Sequence, residues 1–164
     1  MLILSRQTYR VIIIMDTPTQ PLAKAHYPER VLVVDDTRPA LVTLLRVMQQ
    51  RGIDADSATD GRMAWAVIGQ KRPEVVITDI EMPFWNGLRL IKTIRECEDR
   101  EIAQLPVIVV SSVDVAELQR TLSIYPRTYF LQKPVLVHEI DSLLQKIKWQ
   151  HIGNDEDRSL GGVH

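Results

Sequence analysis

Short apolar runs rich in β-branched residues recur from Arg30 onward, at Val31–Val34, Val75–Thr78, Val107–Val110 and Thr128–Leu131, with a weaker run at Ile53–Ala58. Runs of this length, without polar alternation, predict strands buried on both faces of a parallel sheet. Between them, apolar residues return every three or four positions: Leu41, Leu44, Leu45 and Met48; Met63, Val67 and Ile68; Leu88, Ile91 and Ile94; Val115, Leu118 and Leu122; Ile140, Leu143, Leu144 and Ile147. That is the period of a helix laying one face on a core. Pro39 suits the first turn of the first helix, with Thr37 or Arg38 ahead of it, and Asn86 and Asp114 carry the side-chain oxygens that cap helix N-termini. The alternation gives five β-α units. Right-handed crossovers fold such units into an α/β sandwich of three layers, with helices on both sheet faces.

The flanks break this pattern. Residues 1–28 hold Pro18, Pro21 and Pro28 among Thr17, Thr19 and Gln20, and predict an N-terminal extension or linker ahead of a domain spanning 29–150. Within it, Tyr9–Met15 fits either a short strand or an added leader, with Met15 an alternative first residue. Residues 151–164 are polar, contain Gly153, Gly161 and Gly162, and predict a flexible tail.

Composition narrows the function classes. The chain has 164 residues, of which 45% are hydrophobic and 25% charged, the mixture of one globular domain with a real core. Twenty basic residues face 21 acidic ones, for a net charge of −1, so no basic excess points to direct contact with nucleic acid. The apolar run Val11–Met15 is too short to span a bilayer, and Met1–Leu4 lacks the charged leader of a secretory signal. Cys97 is the only cysteine, which excludes an internal disulfide and fits a cytoplasmic protein. His26, His138, His151 and His164 lack metal-ligand spacing.

The remaining polar residues fall on one edge of the expected sheet. Asp35 and Asp36 close the first strand, Asp79 the third, Ser111 follows the fourth and Lys133 the fifth. In open α/β sheets the carboxyl ends of the strands form the ligand crevice. Taken singly, each has a bland reading: a solvated strand end, a turn acid, a capping hydroxyl, a loop lysine. Jointly they make a site. Two carboxylates about 4 Å apart repel by roughly 4 kcal/mol at an effective dielectric near 20, and one lysine cannot neutralise three acids. A hard divalent cation with oxygen ligands, Mg²⁺, supplies the rest. Asp79, expected to be exposed on its loop, is then a nucleophile toward phosphorus, with Lys133 and Ser111 available to the phosphoryl oxygens.

Four segments together carry a resemblance: Val33-Val34-Asp35-Asp36; Asp79-Ile80-Glu81-Met82-Pro83 with Gly87; Val109-Val110-Ser111-Ser112; and Lys133-Pro134. In order and separation they resemble the receiver domains of two-component response regulators, over residues 29–149. The resemblance implies a flavodoxin-like, five-stranded parallel sheet in the order 2-1-3-4-5. It further implies phosphorylation of Asp79 by a histidine kinase or phosphotransfer protein, with Asp35, Asp36 and the Glu81 main-chain carbonyl as further Mg²⁺ ligands. Ser111 and the aromatic Phe130 would be the switch pair. The last two helices and fifth strand, around Glu117, Arg120, Lys133, Glu139 and Lys146, would dock an effector protein or form a homodimer, with neither nucleic acid nor membrane as direct partner.

Two positions depart from the family's usual residues. Ser111 stands where Thr is common and Phe130 where Tyr is common, so any aromatic switch acts through packing without a hydroxyl. Glu81 and Val113 hold positions that tune phosphoryl lifetime in the family. A metal-dependent aspartyl phosphatase or phosphotransferase is the enzymatic alternative; its usual second aspartate two residues on is replaced by Glu81. A degenerate receiver that binds without phosphorylation, and a receiver cut from a longer regulator, are further alternatives. Phe84 and Trp85 are expected to be exposed on the loop after Asp79, open to a partner or packed on a neighbouring loop.

Overall fold

The computed structural model of the chain describes residues 27–160, so the Tyr9–Met15 segment and most of the expected linker lie outside the described residues. The elements run β1 (Arg30–Val34), α1 (Arg38–Gln50), β2 (Asp54–Ala58), α2 (Gly61–Lys71), β3 (Val75–Asp79), α3 (Gly87–Arg95), α4 (Arg100–Ala103), β4 (Val107–Ser111), α5 (Val115–Leu122), β5 (Thr128–Gln132) and α6 (Val137–Leu160). All strand pairs are parallel and the sheet order is β2-β1-β3-β4-β5, as the resemblance implies.

The central strands divide their side chains between two cores by simple alternation. Leu32, Val34, Val76, Val107 and Val109 meet α2, α3 and α5 through Ala64, Ile68, Leu90, Ile91, Ile94, Leu118 and Leu122. Val31, Val33, Val75, Ile77, Ile108 and Val110 meet α1 and α6 through Leu41, Met48, Ile140, Leu144 and Ile147. These are three layers, with helices on both faces.

Helix faces differ in detail from the periodicity reading. In α2 the buried positions are Gly61, Ala64 and Ile68, while Met63 is 46% exposed. The small Gly61 lies against Trp85 of a neighbouring loop and Ala64 packs in the core with Ile68, so the longer Met63 falls outside the buried face. In α3 Leu90 is buried with Ile91 and Ile94, and Leu88 only partly so. Asn86 caps α3 through the Arg89 amide and Asp114 caps α5 through the Ala116 and Glu117 amides, as expected; Asp60 and Asp99 cap α2 and the short α4 in the same way. Helix α4, absent from the sequence reading, is one capped turn, too short to carry a hydrophobic period. Arg95 ties it down by donating to the Ala103, Leu105 and Arg127 carbonyls at 3.1, 2.8 and 3.2 Å. Burial, with Arg127 nearby, pushes the Arg95 guanidinium down to about 10, so it keeps its charge at neutral pH.

The expected flexible tail is helical for most of its length, because α6 continues through Leu160. From Val137 to Leu160 the chain has no proline, and Gly153, its single glycine there, costs only about 1 kcal/mol within a helix.

One glycine is dictated by proximity. A Cβ on Gly87 would collide with the Asp79 carbonyl oxygen and lie 2.9 Å from Ile80 Cα, both rigid main chain. The start of α3 is thereby pressed against the end of β3. Gly87→Ala is expected to cost about 2 kcal/mol, read as a lower urea midpoint at unchanged slope.

Candidate acidic phosphoacceptor site

Register explains why the acids meet. Val34 lies opposite Thr78 across β1 and β3, so the next residues, Asp35 and Asp79, emerge side by side at the carboxyl edge. Ser111 lies opposite Gln132 across β4 and β5, which brings Lys133 out beside them. The Lys133 amide donates to the Ser111 carbonyl at 2.8 Å, extending that pairing by one step.

Oxygens from Asp35, Asp36 and Asp79 all lie within 4.8 Å of one another. Lys133 Nζ donates to Asp35 Oδ2 at 3.3 Å and to Asp79 Oδ2 at 3.0 Å. The other Asp79 oxygen accepts from the Glu81 amide at 3.1 Å. Burial alone would lower the Lys133 pKa, but the hydrogen bonds and charges of Asp79 and Asp35 outweigh it and hold the ammonium above its usual value. One ammonium still faces three carboxylates.

Asp79 is only 5% exposed, against the expectation of an exposed loop acid. The reason is topological: it closes a central strand flanked by β1 and β4, with Gly87 against its carbonyl. Asp35 is 2% exposed, whereas Asp36, the next residue, points to solvent. Ser111 is fully buried, and its Oγ accepts from the Val113 amide at 3.0 Å. The exposed Glu81 side chain leaves that residue joined to the site through its main chain. Phe130 packs against the core shared by α2, α3 and α5, while Tyr129 turns to the opposite core and donates its hydroxyl to Gln150 at 2.8 Å.

The loop after Asp79 also departs from expectation. Phe84 is fully exposed, but Trp85 is half-buried, packing on Gly61 of α2 with the Arg89 guanidinium 4.6 Å from its ring centre. The Trp85 carbonyl accepts from the Gly61 amide at 2.9 Å, joining the loop to α2. The sequence reading also misses Thr37 as part of the site. Its hydroxyl donates to Asp35 Oδ1 at 2.6 Å instead of capping α1. Only the position right after the acidic pair hinted at this.

The donor set suits a hard cation. All the ligand atoms are oxygens, two of the carboxylates are nearly buried, and the local negative charge is only partly neutralised. Among the described residues no helix is long and apolar enough to cross a membrane.

Comparison with known proteins agrees with the fold. The sequence profile of the response regulator receiver domain matches residues 31–148. The chain belongs to that family, the receiver domains of two-component signalling. Response regulator MprA of Mycolicibacterium vanbaalenii is 34% identical over 114 residues, which is 69% of this chain but 47% of MprA; the chain thus spans about half the length of that relative. Protein PilH of Pseudomonas aeruginosa is 32% identical over 85 residues, 52% of this chain and 69% of PilH. Among solved structures, a response regulator receiver protein from Pseudomonas putida has a TM-score of 0.65 at 36% identity, covering 71% of this chain and 95% of its own. Chemotaxis protein CheY4 of Vibrio cholerae has a TM-score of 0.66 at 25% identity, covering 72% and 97%.

Removing Lys133 leaves Asp35 and Asp79 facing each other without a cation. Because the lysine is 29% exposed and water screens the pair, Lys133→Met is expected to cost about 2 kcal/mol, below the range for fully buried pairs. The lysine's folded pKa is raised, so its contribution is complete below the ordinary value of 10.5 and disappears as pH climbs through the folded value. Urea midpoints of wild type and Lys133→Met should therefore converge above that pH and stay apart at pH 7.

Proposed function

We propose that Asp79 accepts a phosphoryl group from a histidine kinase or phosphotransfer protein, in a Mg²⁺-dependent reaction, and that the modified domain signals by binding an effector protein. The observation that carries this reading is the setting of the Asp79 carboxylate. It lies between Lys133 Nζ at 3.0 Å and the Glu81 amide at 3.1 Å, within the cluster it forms with Asp35 and Asp36.

In the transfer, an Asp79 oxygen forms a bond to phosphorus as the bond from phosphorus to the donor's imidazole nitrogen breaks. The electron pair returns to the imidazole. Lys133 offsets negative charge on the incoming group, and the Ser111 hydroxyl, which now accepts from the Val113 amide, has its proton available for a phosphoryl oxygen. Asp35, Asp36, Asp79 and the Glu81 carbonyl would hold Mg²⁺. When bound, the ion supplies the positive charge that lets anionic donor and anionic acceptor approach.

The output follows from what Ser111 and Phe130 pack against. A Ser111 drawn toward a phosphoryl oxygen releases the Val113 amide and vacates buried volume next to β5. Phe130, without a hydroxyl, answers by repacking within the core it shares with α5. The face of α5, β5 and α6 is then the docking or homodimer surface. Catalysis is confined to the domain's own phosphorylation and dephosphorylation. A cytoplasmic location belongs to the same reading, supported by the free thiol of Cys97.

Incubation with Mg²⁺ and acetyl phosphate should raise the intact mass by ~80 Da, one phosphoryl group in place of a proton. Asp79→Asn should show no gain, nor should wild type in the presence of a chelator. A gain that persists in Asp79→Asn would assign the acceptor elsewhere.

A further inference from the structure

We propose that Thr37 is a positioning residue for the cation site, holding the Asp35 carboxylate in the orientation that grips a divalent ion. The inference rests on the metal-dependent reading above and extends it to a residue outside the acidic cluster and its lysine.

The key observation is where the Thr37 hydroxyl goes. Thr37 immediately precedes α1, where a threonine oxygen ordinarily accepts from an amide of the helix's first turn. It makes no such bond here. Instead Oγ1 donates to Asp35 Oδ1 at 2.6 Å, and the Thr37 amide donates to the same oxygen at 2.8 Å. Asp35 Oδ2 faces Lys133 Nζ at 3.3 Å. The buried carboxylate is therefore held at both oxygens, and its plane cannot turn without breaking a bond. Asp36, exposed, has no comparable restraint among the described residues.

A ligand fixed in advance loses little freedom when an ion binds, and a donor behind a ligand carboxylate keeps its second oxygen from turning away. Thr37→Val keeps the shape and the amide but deletes the hydroxyl, leaving Oδ1 with a single donor. Thr37→Ser keeps the donor. The two variants separate the hydroxyl from the size of the side chain.

Mn²⁺ serves as the probe, its free concentration followed by electron paramagnetic resonance during titration of the full chain, with Mg²⁺ added as competitor. Thr37→Val is expected to bind Mn²⁺ about ten-fold more weakly, the lower end of the usual penalty for losing a residue that orients a metal ligand. Thr37→Ser is expected to match wild type within about two-fold, and urea midpoints on the same samples report the fold. An unchanged affinity for Thr37→Val overturns the proposal, above all if its urea midpoint falls, since that pairing is the mark of a purely structural role. A ten-fold loss in Thr37→Ser overturns it too, which keeps the test decisive if the valine variant fails to fold. Wild-type protein that takes up no Mn²⁺ would remove the metal reading itself and Thr37's role with it; binding by wild type equal to that of Thr37→Val removes only the latter.

Discussion

Two neighbouring parallel strands, one ending at Asp79 and the other followed directly by Asp35, impose the central constraint on this molecule. Because β1 and β3 are hydrogen-bonded in register, Asp35 and Asp79 cannot move apart without breaking the sheet. Both are nearly buried, so water does little to screen their repulsion. The compensation comes from Lys133, which follows β5, beyond β4 in the sheet, and reaches both acids with one ammonium. The result is a site under electrostatic tension even when folded. Such an arrangement costs stability, and charged groups held in this way cluster at functional sites.

Around that tension the neighbouring structure is tightly specified. Gly87 allows α3 to begin against the Asp79 carbonyl, and Thr37 spends a hydroxyl on Asp35 that a helix end could have used. Trp85 fastens the following loop to α2 through the Gly61 amide. Each contact restricts a side chain or loop bordering the acids. Preorganisation of this kind leaves the acids and their loop little freedom to reorient.

The two helices flanking β5 are held differently. Helix α6 is tied to the body by the Arg51–Asp141 pair, by Lys148 on Glu74 and by Tyr129 on Gln150, in addition to its apolar face. Helix α5 buries Leu118 and Leu122, and the side-chain hydrogen bonds of Asp114, Arg120 and Thr121 close within the helix itself. Elements with few ties to the core open at lower free energy than elements with many. On the function proposed above, a perturbation arriving through Ser111 and Phe130 would therefore meet less resistance at α5 than at α6.

Much of this was legible in the chain before any coordinates. The apolar runs became the strands nearly residue for residue: β1, β3 and β4 are almost wholly buried, as a run without polar alternation implies, while the edge strands β2 and β5 are only partly so and gave the weaker pattern at β2. The acids, serine and lysine could be assigned to one edge because every strand in a parallel sheet points the same way. Helix faces were less legible: the small Gly61 and Ala64, which a hydrophobic count undervalues, take buried positions of α2, and Met63 falls outside that face. Helix α4 and the run of α6 through Leu160 escaped for a related reason, since a single capped turn and a polar extension carry no apolar period. What only the tertiary structure decided was the set of contacts between residues far apart in sequence: the burial of Asp79, the span of Lys133 across two acids, the wedge of Trp85 on Gly61. The hydroxyl of Thr37 belongs with them although its partner is two residues away, for its direction depends on where Asp35 is held. Hydrophobic pattern is a local property and fixes which segments are strands; distances between charges depend on strand order and register, which exist only once the sheet has formed.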